Sequence, residues 1–244
     1  MRSHVVVVKN ISRLSVASGA LLTRTPGTPG IGLIFGKSGL GKTTATAWFV
    51  NQCNGVYVRA LSTWTSSAML QEILKELDTA PTKLRASSMV RQIAEILRLT
   101  GRPLFLDEFD YIVEDKKMTE TLRDIHDLSS VPIVLVGMDG VRQKVQVRDQ
   151  FVNRIAQWVE FQSADLEDCT MLAKELCEVK IHPDLLRRLF EASKGVIRLI
   201  VIGLDVIERR AKTLGLTEVG IDEWGSASFF LTDTSKAKKT GGKA

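Results

Sequence analysis

The stretch GLIFGKSGLGKTTATAWF, residues 32–49, decides how the rest of the chain is read. GIGLIFG (30–36) has the length and composition of a buried strand, and KTTATAWFVNQC (42–53) reads as a helix. Between them Gly36, Gly39 and Gly41 let the backbone turn tightly enough to aim successive N–H groups inward. The helix that follows adds the partial positive charge of its N-terminus, so the turn is an anion cradle. Gly36-Lys37-Ser38-Gly39-Leu40-Gly41-Lys42-Thr43 fits the P-loop pattern G-x-x-x-x-G-K-[ST], and Thr44 continues the run. The pattern assigns phosphates to the backbone of residues 36–44, the β- and γ-phosphates to Lys42, and magnesium to the Thr43 hydroxyl.

Such a site calls for an acid at another strand end, and LFLDEFD (104–110) supplies it. Four residues of strand deliver Asp107 to the carboxyl edge, where ligands bind in open α/β sheets. Asp107 is placed to hold the water shell of Mg2+, and Glu108 to orient and polarise a water for attack on a γ-phosphate. Asp110 reads either as a surface acid or as a helix cap. No guanine-reading N-K-x-D sequence is present, so ATP rather than GTP is the expected nucleotide.

Strands are further expected at 55–61, 102–110, 131–138 and 156–161, and helices at 66–78 (started by a serine cap), 87–99, 118–128 and 141–155. Apolar runs alternating with helices predict an α/β fold with a parallel five-stranded sheet, in the order 5-1-4-3-2. After residue 164 the pattern changes to helices only, beginning at an Asp165 cap, with Pro183 opening and Gly195 ending the second helix. The expected organisation is an α/β core over 1–163, a small helical domain over 164–228 and a basic tail over 229–244.

The chain has 244 residues, 44% hydrophobic and 25% charged, the composition of a globular protein. No apolar run approaches the ~20 residues that span a bilayer, so no membrane partner is expected. Three cysteines, without metal-ligand spacing, read as free thiols in a reducing cytoplasm. Four of the five net positive charges sit on Lys236, Lys238, Lys239 and Lys243, leaving the remainder nearly neutral. Net charge alone is therefore weak support for nucleic acid binding.

The P-loop, DEFD and the helical second domain together resemble the AAA+ ATPases. The resemblance implies that Arg198, three residues after a helix-ending glycine in SKGVIRLI, is the lid's sensor arginine facing the nucleotide. It implies that Arg154 in DQFVNRI, or its rival Arg148, is an arginine finger reaching a neighbouring subunit's ATP. VGMDG departs from the family by offering Asp139 where the first sensor is expected. Within the family, LFLDEFDYI and the short compact lid are similar to the transposition ATPases of the MuB, TnsC and TniB type, over roughly residues 5–225. That likeness implies an ATPase that oligomerises with ATP, as helix or ring, on double-stranded DNA and delivers it to a transposase, in a bacterial or phage-infected cytoplasm. MuB carries an additional N-terminal DNA-binding domain, which is expected to be supplied from elsewhere here. The loops STWTSS (62–67) and EDKKM (114–118) fall where AAA+ rings face their pore, so Trp64, Lys116 and Lys117 are candidate DNA contacts, with Arg142 and Lys144 beside them. The alternatives are another AAA+ role, such as an initiator-like loader or a secretion-associated ATPase, and a nucleotide-gated scaffold.

Overall fold

Leu14 and Leu21, two turns apart on one face, close against the protein interior from α1 (Lys9–Leu22), a helix outside the expectations above. The chain then alternates through β1 (Ile31–Phe35), α2 (Lys42–Cys53), β2 (Val56–Arg59), α3 (Ser66–Glu76), α4 (Ala86–Thr100), β3 (Leu104–Asp107) and a 3-10 turn at Phe109–Tyr111. It continues with α5 (Lys116–Ser129), β4 (Ile133–Val136), α6 (Val141–Gln146), α7 (Asp149–Val152) and β5 (Ile155–Glu160). The computed structural model describes residues 1–25, 27–79 and 84–230. It divides into two units: Val7–Ser163, and Met1–Val6 together with the chain from Ala164 onward.

In the first unit the five strands pair in parallel in the order β2-β3-β4-β1-β5, which is 5-1-4-3-2 counted from the other edge. β1, β3 and β4 are buried along their whole length, as continuous apolar runs in a doubly covered parallel sheet should be. Because all strands run the same way, the turns after β1, β3 and β4 open on one edge. Two local expectations need correction. The cap of α3 is Thr65, whose hydroxyl accepts the Ala68 N–H at 3.2 Å, rather than a serine. The helix expected over 141–155 is two short ones, because Arg148 leaves helical geometry (φ −118°, ψ 77°) and turns Phe151 inward to stack on Phe109. The strand then starts at Ile155.

The second unit holds α8 (Leu166–Leu176), β6 (Lys180–Ile181), α9 (Pro183–Ser193), α10 (Ile197–Thr213), β7 (Glu218–Val219) and α11 (Ile221–Trp224). Asp165 caps α8 through a reciprocal bond with Asp168. The helices-only expectation is corrected by a short parallel pair, β6 with β7. Residues 1–6, read from sequence as part of the core, belong here instead, since the Arg2 N–H donates to the Leu176 carbonyl at 2.8 Å. The three cysteines are free, Cys169 and Cys177 being buried. Among the described residues no helix is long and apolar enough to cross a membrane.

The end of this unit also departs from expectation. Phe229, placed in the tail by the sequence reading, is 4% exposed and stacks on Trp224 with ring centroids 5.1 Å apart. Arg210 lies over Trp224 and Arg188 over Phe229, covering the two rings with guanidinium faces. Residues 231–244, with the four tail lysines, lie outside the described residues. Phe229→Ala should lower stability by about 3 kcal/mol, the usual cost of emptying a buried phenylalanine site. Thermal denaturation against wild type checks it, and an unchanged melting temperature removes Phe229 from this unit's core.

Candidate functional site

The P-loop lies between β1 and α2, and its geometry follows from its glycines. Gly39 (φ 81°) and Gly41 (φ 83°) are left-handed, and Gly41 immediately precedes the first residue of α2. Gly36 (φ 149°) passes so close to β5's end that a Cβ would stand 2.7 Å from the Phe161 carbonyl oxygen. From α1, Asn10 stitches the same region together. Its amide donates to the carbonyls of Gln162 (2.8 Å) and Leu40 (3.5 Å), and its oxygen accepts the Gln162 N–H at 3.1 Å.

Lys42 is buried, and its ammonium donates to the carbonyls of Gly36 (2.6 Å) and Lys37 (2.9 Å). Burial lowers its pKa, opposed by the charges of Asp107, Asp110, Glu108 and Asp139. Lys37 and Ser38 of the loop and Thr43 and Thr44 of the first turn of α2 are exposed.

Asp107 ends β3 and is 3% exposed. Its Oδ2 accepts from the Thr43 hydroxyl at 2.8 Å and from the Tyr57 hydroxyl at 3.0 Å, and its Oδ1 accepts the Glu108 N–H at 2.8 Å. Glu108 sits in the left-handed region (φ 55°, ψ 40°), strain of the kind found where structure over-determines a functional residue. Its carboxylate pairs with Arg59 at 3.0 Å. Asp110 is neither a free surface acid nor a helix cap. Its Oδ2 accepts the Met138 N–H at 2.6 Å, tying the turn after β3 to the end of β4. Asp139 is exposed in the next turn.

These side chains suit a magnesium nucleotide. A hard divalent ion takes oxygen ligands and keeps several waters, and the Thr43 hydroxyl with the Asp107 carboxylate is such a donor set. Among the described residues no group of three or more His, Cys, Asp or Glu could hold a metal alone. An ion here would therefore draw its other ligands from phosphate oxygens and water.

The remaining sequence candidates are dispersed. Arg154 makes a fork with Asp127 of α5, at 3.0 and 3.3 Å, and Arg148 donates to the Glu114 carbonyl. Lys144 pairs with the Glu114 carboxylate at 2.6 Å, and Arg142 lies over the Phe35 ring. Arg198 is exposed at the second position of α10, in the other unit. Trp64 is half-buried against the core, and Lys116 and Lys117 are exposed at the start of α5. The two candidate loops do converge. A groove of about 450 Å³ is lined by Ser66 and Leu70 of α3, Ser87 and Arg91 of α4, and Lys117 and Thr121 of α5, with Asp124 and Asp127 beside them. Both acids are engaged, by Arg123 and Arg154, while no ion pair among the described residues engages Arg91 or Lys117.

Sequence reading missed Asn10, Tyr57, Arg59 and Arg91. Arg59 and Tyr57 stand at alternate positions of β2, beside a strand ending in acids, which is a readable signal once strand adjacency is known. Asn10 lies one turn before Leu14 on the buried face of α1 and carries no such signal.

The family described as "AAA domain" matches residues 24–145. The "Mu-like prophage FluMu DNA transposition protein B" of Haemophilus influenzae is 30% identical over 115 residues, 46% of this chain and 39% of the relative. The matched part thus spans about two fifths of that relative's length. The ORC2 protein of Aeropyrum pernix, in ADPNP–ADP complexes, has the same fold, with a TM-score of 0.71 at 16% identity, covering 91% of this chain and 68% of that one. The ORC1 protein of the same organism, solved with DNA, follows at a TM-score of 0.61 and 17% identity, covering 88% of this chain and 62% of that one.

Gly36→Ala forces a side chain against the Phe161 carbonyl at a φ that L residues rarely adopt. It should destabilise the first unit by about 1–3 kcal/mol, read as a lower urea midpoint. Gly140→Ala, which meets no atom within 4 Å, is the control and should change little.

Proposed function

The chain belongs to the AAA domain family, and on that premise we propose that it binds and hydrolyses ATP with Mg2+ and assembles on double-stranded DNA for transposition. The observation that carries the ATPase part is the Thr43–Asp107 hydrogen bond at 2.8 Å, which joins the P-loop helix to the acidic strand end, with Glu108 next in the chain. Residues Gly36–Thr44 cradle the phosphates with backbone N–H groups. Lys42 exchanges its two carbonyl partners for β- and γ-phosphate oxygens. Thr43 and Asp107 hold the ion, which when bound neutralises phosphate charge and favours attack at the γ-phosphate. Glu108 orients a water and takes its proton, which requires it to leave Arg59. Arg154, or Arg148, completes a neighbouring subunit's site, and Arg198 of the lid senses the nucleotide.

The DNA part rests on the convergence of the two loops at one groove and on the similarity to a transposition protein B. Lys117 and Arg91 are the groove's unpaired cations, with the Ser66, Ser87 and Thr121 hydroxyls suited to phosphate oxygens. Trp64, Lys116, Arg142 and Lys144, outside the groove's lining, are the secondary DNA contacts of this reading. The transposase is the partner that assembly on DNA would serve. The cytoplasm of a bacterium or phage-infected host supplies both ATP and DNA.

Two measurements test this reading. Lys42→Ala should abolish ATP binding, whereas Glu108→Gln should retain ATP but stall hydrolysis, and so form longer-lived assemblies on DNA with ATP than with ADP. Sedimentation with each nucleotide decides it, and a Glu108→Gln protein that stays monomeric with ATP and DNA overturns the assembly part. Separately, Lys117→Gln and Arg91→Gln should each reduce the log–log salt slope of DNA binding by about 0.9, one phosphate's worth. An unchanged slope removes the groove from the DNA contact.

A further inference from the structure

Asp107 is held by one more donor than the motifs account for. Of about four acceptor directions on a carboxylate, three are taken. The Thr43 and Tyr57 hydroxyls share Oδ2, and the Glu108 N–H takes one on Oδ1. The Thr43 and Glu108 bonds come with the P-loop and the strand end. The Tyr57 bond comes from a neighbouring strand. In the parallel register Tyr57 faces Phe105, two residues before Asp107, so only a long side chain leaning along the strand can reach the carboxylate. Tyr57 does so at 3.0 Å with its ring half-buried. Facing a carboxylate, which only accepts, the phenol hydroxyl is the donor of this bond.

We propose that Tyr57 is a positioning residue for the divalent cation of the nucleotide site. It fixes the rotation of the Asp107 carboxylate, so that Thr43 and Asp107 meet the ion as one preset pair. A carboxylate's terminal torsion is broad and poorly self-determined. A second anchor on Oδ2 removes that freedom and leaves one acceptor direction, on Oδ1, for the ion's water shell. Partners behind a metal ligand commonly set metal affinity by 10–100-fold. The inference rests on the magnesium-nucleotide reading above, and its test separates the two.

The experiment is equilibrium binding of a fluorescent ADP analogue to the full chain, wild type and Tyr57→Phe, first in EDTA and then across a Mg2+ titration. Phenylalanine keeps the ring and deletes only the hydroxyl. The expected result is metal-free affinity equal to wild type within about twofold, with the Mg2+ concentration for half-maximal effect raised about tenfold. Mn2+ in place of Mg2+ should show the same displacement, and Asp107→Asn should abolish the metal dependence. An unchanged Mg2+ midpoint in Tyr57→Phe overturns the proposal, and a lowered melting temperature with that unchanged midpoint assigns the hydroxyl to stability alone. A wild type that binds the analogue but does not respond to Mg2+, or does not bind it at all, overturns the nucleotide-site reading and the Tyr57 role with it.

Discussion

A single hydrogen bond, Thr43 to Asp107 at 2.8 Å, joins two chain segments that reach the same place by different routes. One leaves β1 and enters α2. The other ends β3, and β4 lies between them. They meet because every strand is parallel and delivers its carboxyl end to one edge. The register of β1 on β4 and β4 on β3 (Ile31 and Leu104 both level with Ile133) keeps those ends aligned. A register slip would misfit strands packed on both faces as well as separate the two side chains, so the buried sheet and the site are specified by the same constraint. The other contacts around the site guard that alignment: Asn10 holds the P-loop to β5's end, and Asp110 holds the turn after β3 to Met138.

The electrostatics of the site show what it is built to receive. A buried ammonium is costly unless it is paired, yet Lys42 donates to two backbone carbonyls and the Met138 sulfur, and among the described residues no ion pair engages it. Four carboxylates act on it only through their fields, opposing the effect of burial. The ammonium is left without a salt-bridge partner among the described residues, an arrangement suited to an anion in the cradle. Asp107, Glu108 and Asp110 are meanwhile occupied by hydroxyls, two backbone N–H groups and the Arg59 guanidinium, which hold them away from Lys42.

The sheet and the heart of the site were legible because each is written locally. Strand and helix follow from the period of apolar residues, and the glycine spacing carries the loop's geometry with it. The strand order was legible too, once the P-loop and the acids named the architecture. What escaped depends on contacts distant in sequence. The break at Arg148 serves Phe151, whose partner Phe109 follows another strand. Phe229 looks like the start of a polar tail until Trp224 is found beneath it. α1 was written in the sequence, with Ile11, Leu14 and Leu21 on one face, yet no helix was expected there. Tyr57 carries no local sign at all, because its meaning lies in the end of a neighbouring strand.

The arginines present the opposite case, in which contacts are plain and their meaning is energetic. Arg154 is forked by Asp127, which looks like a structural assignment. Both side chains are about 40% exposed, however, and pairs of that kind contribute about 0–1 kcal/mol. A fork that weak orders the guanidinium while costing little to open. A phosphate in a water-excluded interface would offer the same bidentate geometry at lower dielectric, where it is stronger. The pairing with Asp127 is therefore compatible with the finger role proposed for Arg154. Asp127 also lines the groove that holds Lys117 and Arg91, so one carboxylate on α5 borders both a candidate phosphate surface and a candidate finger.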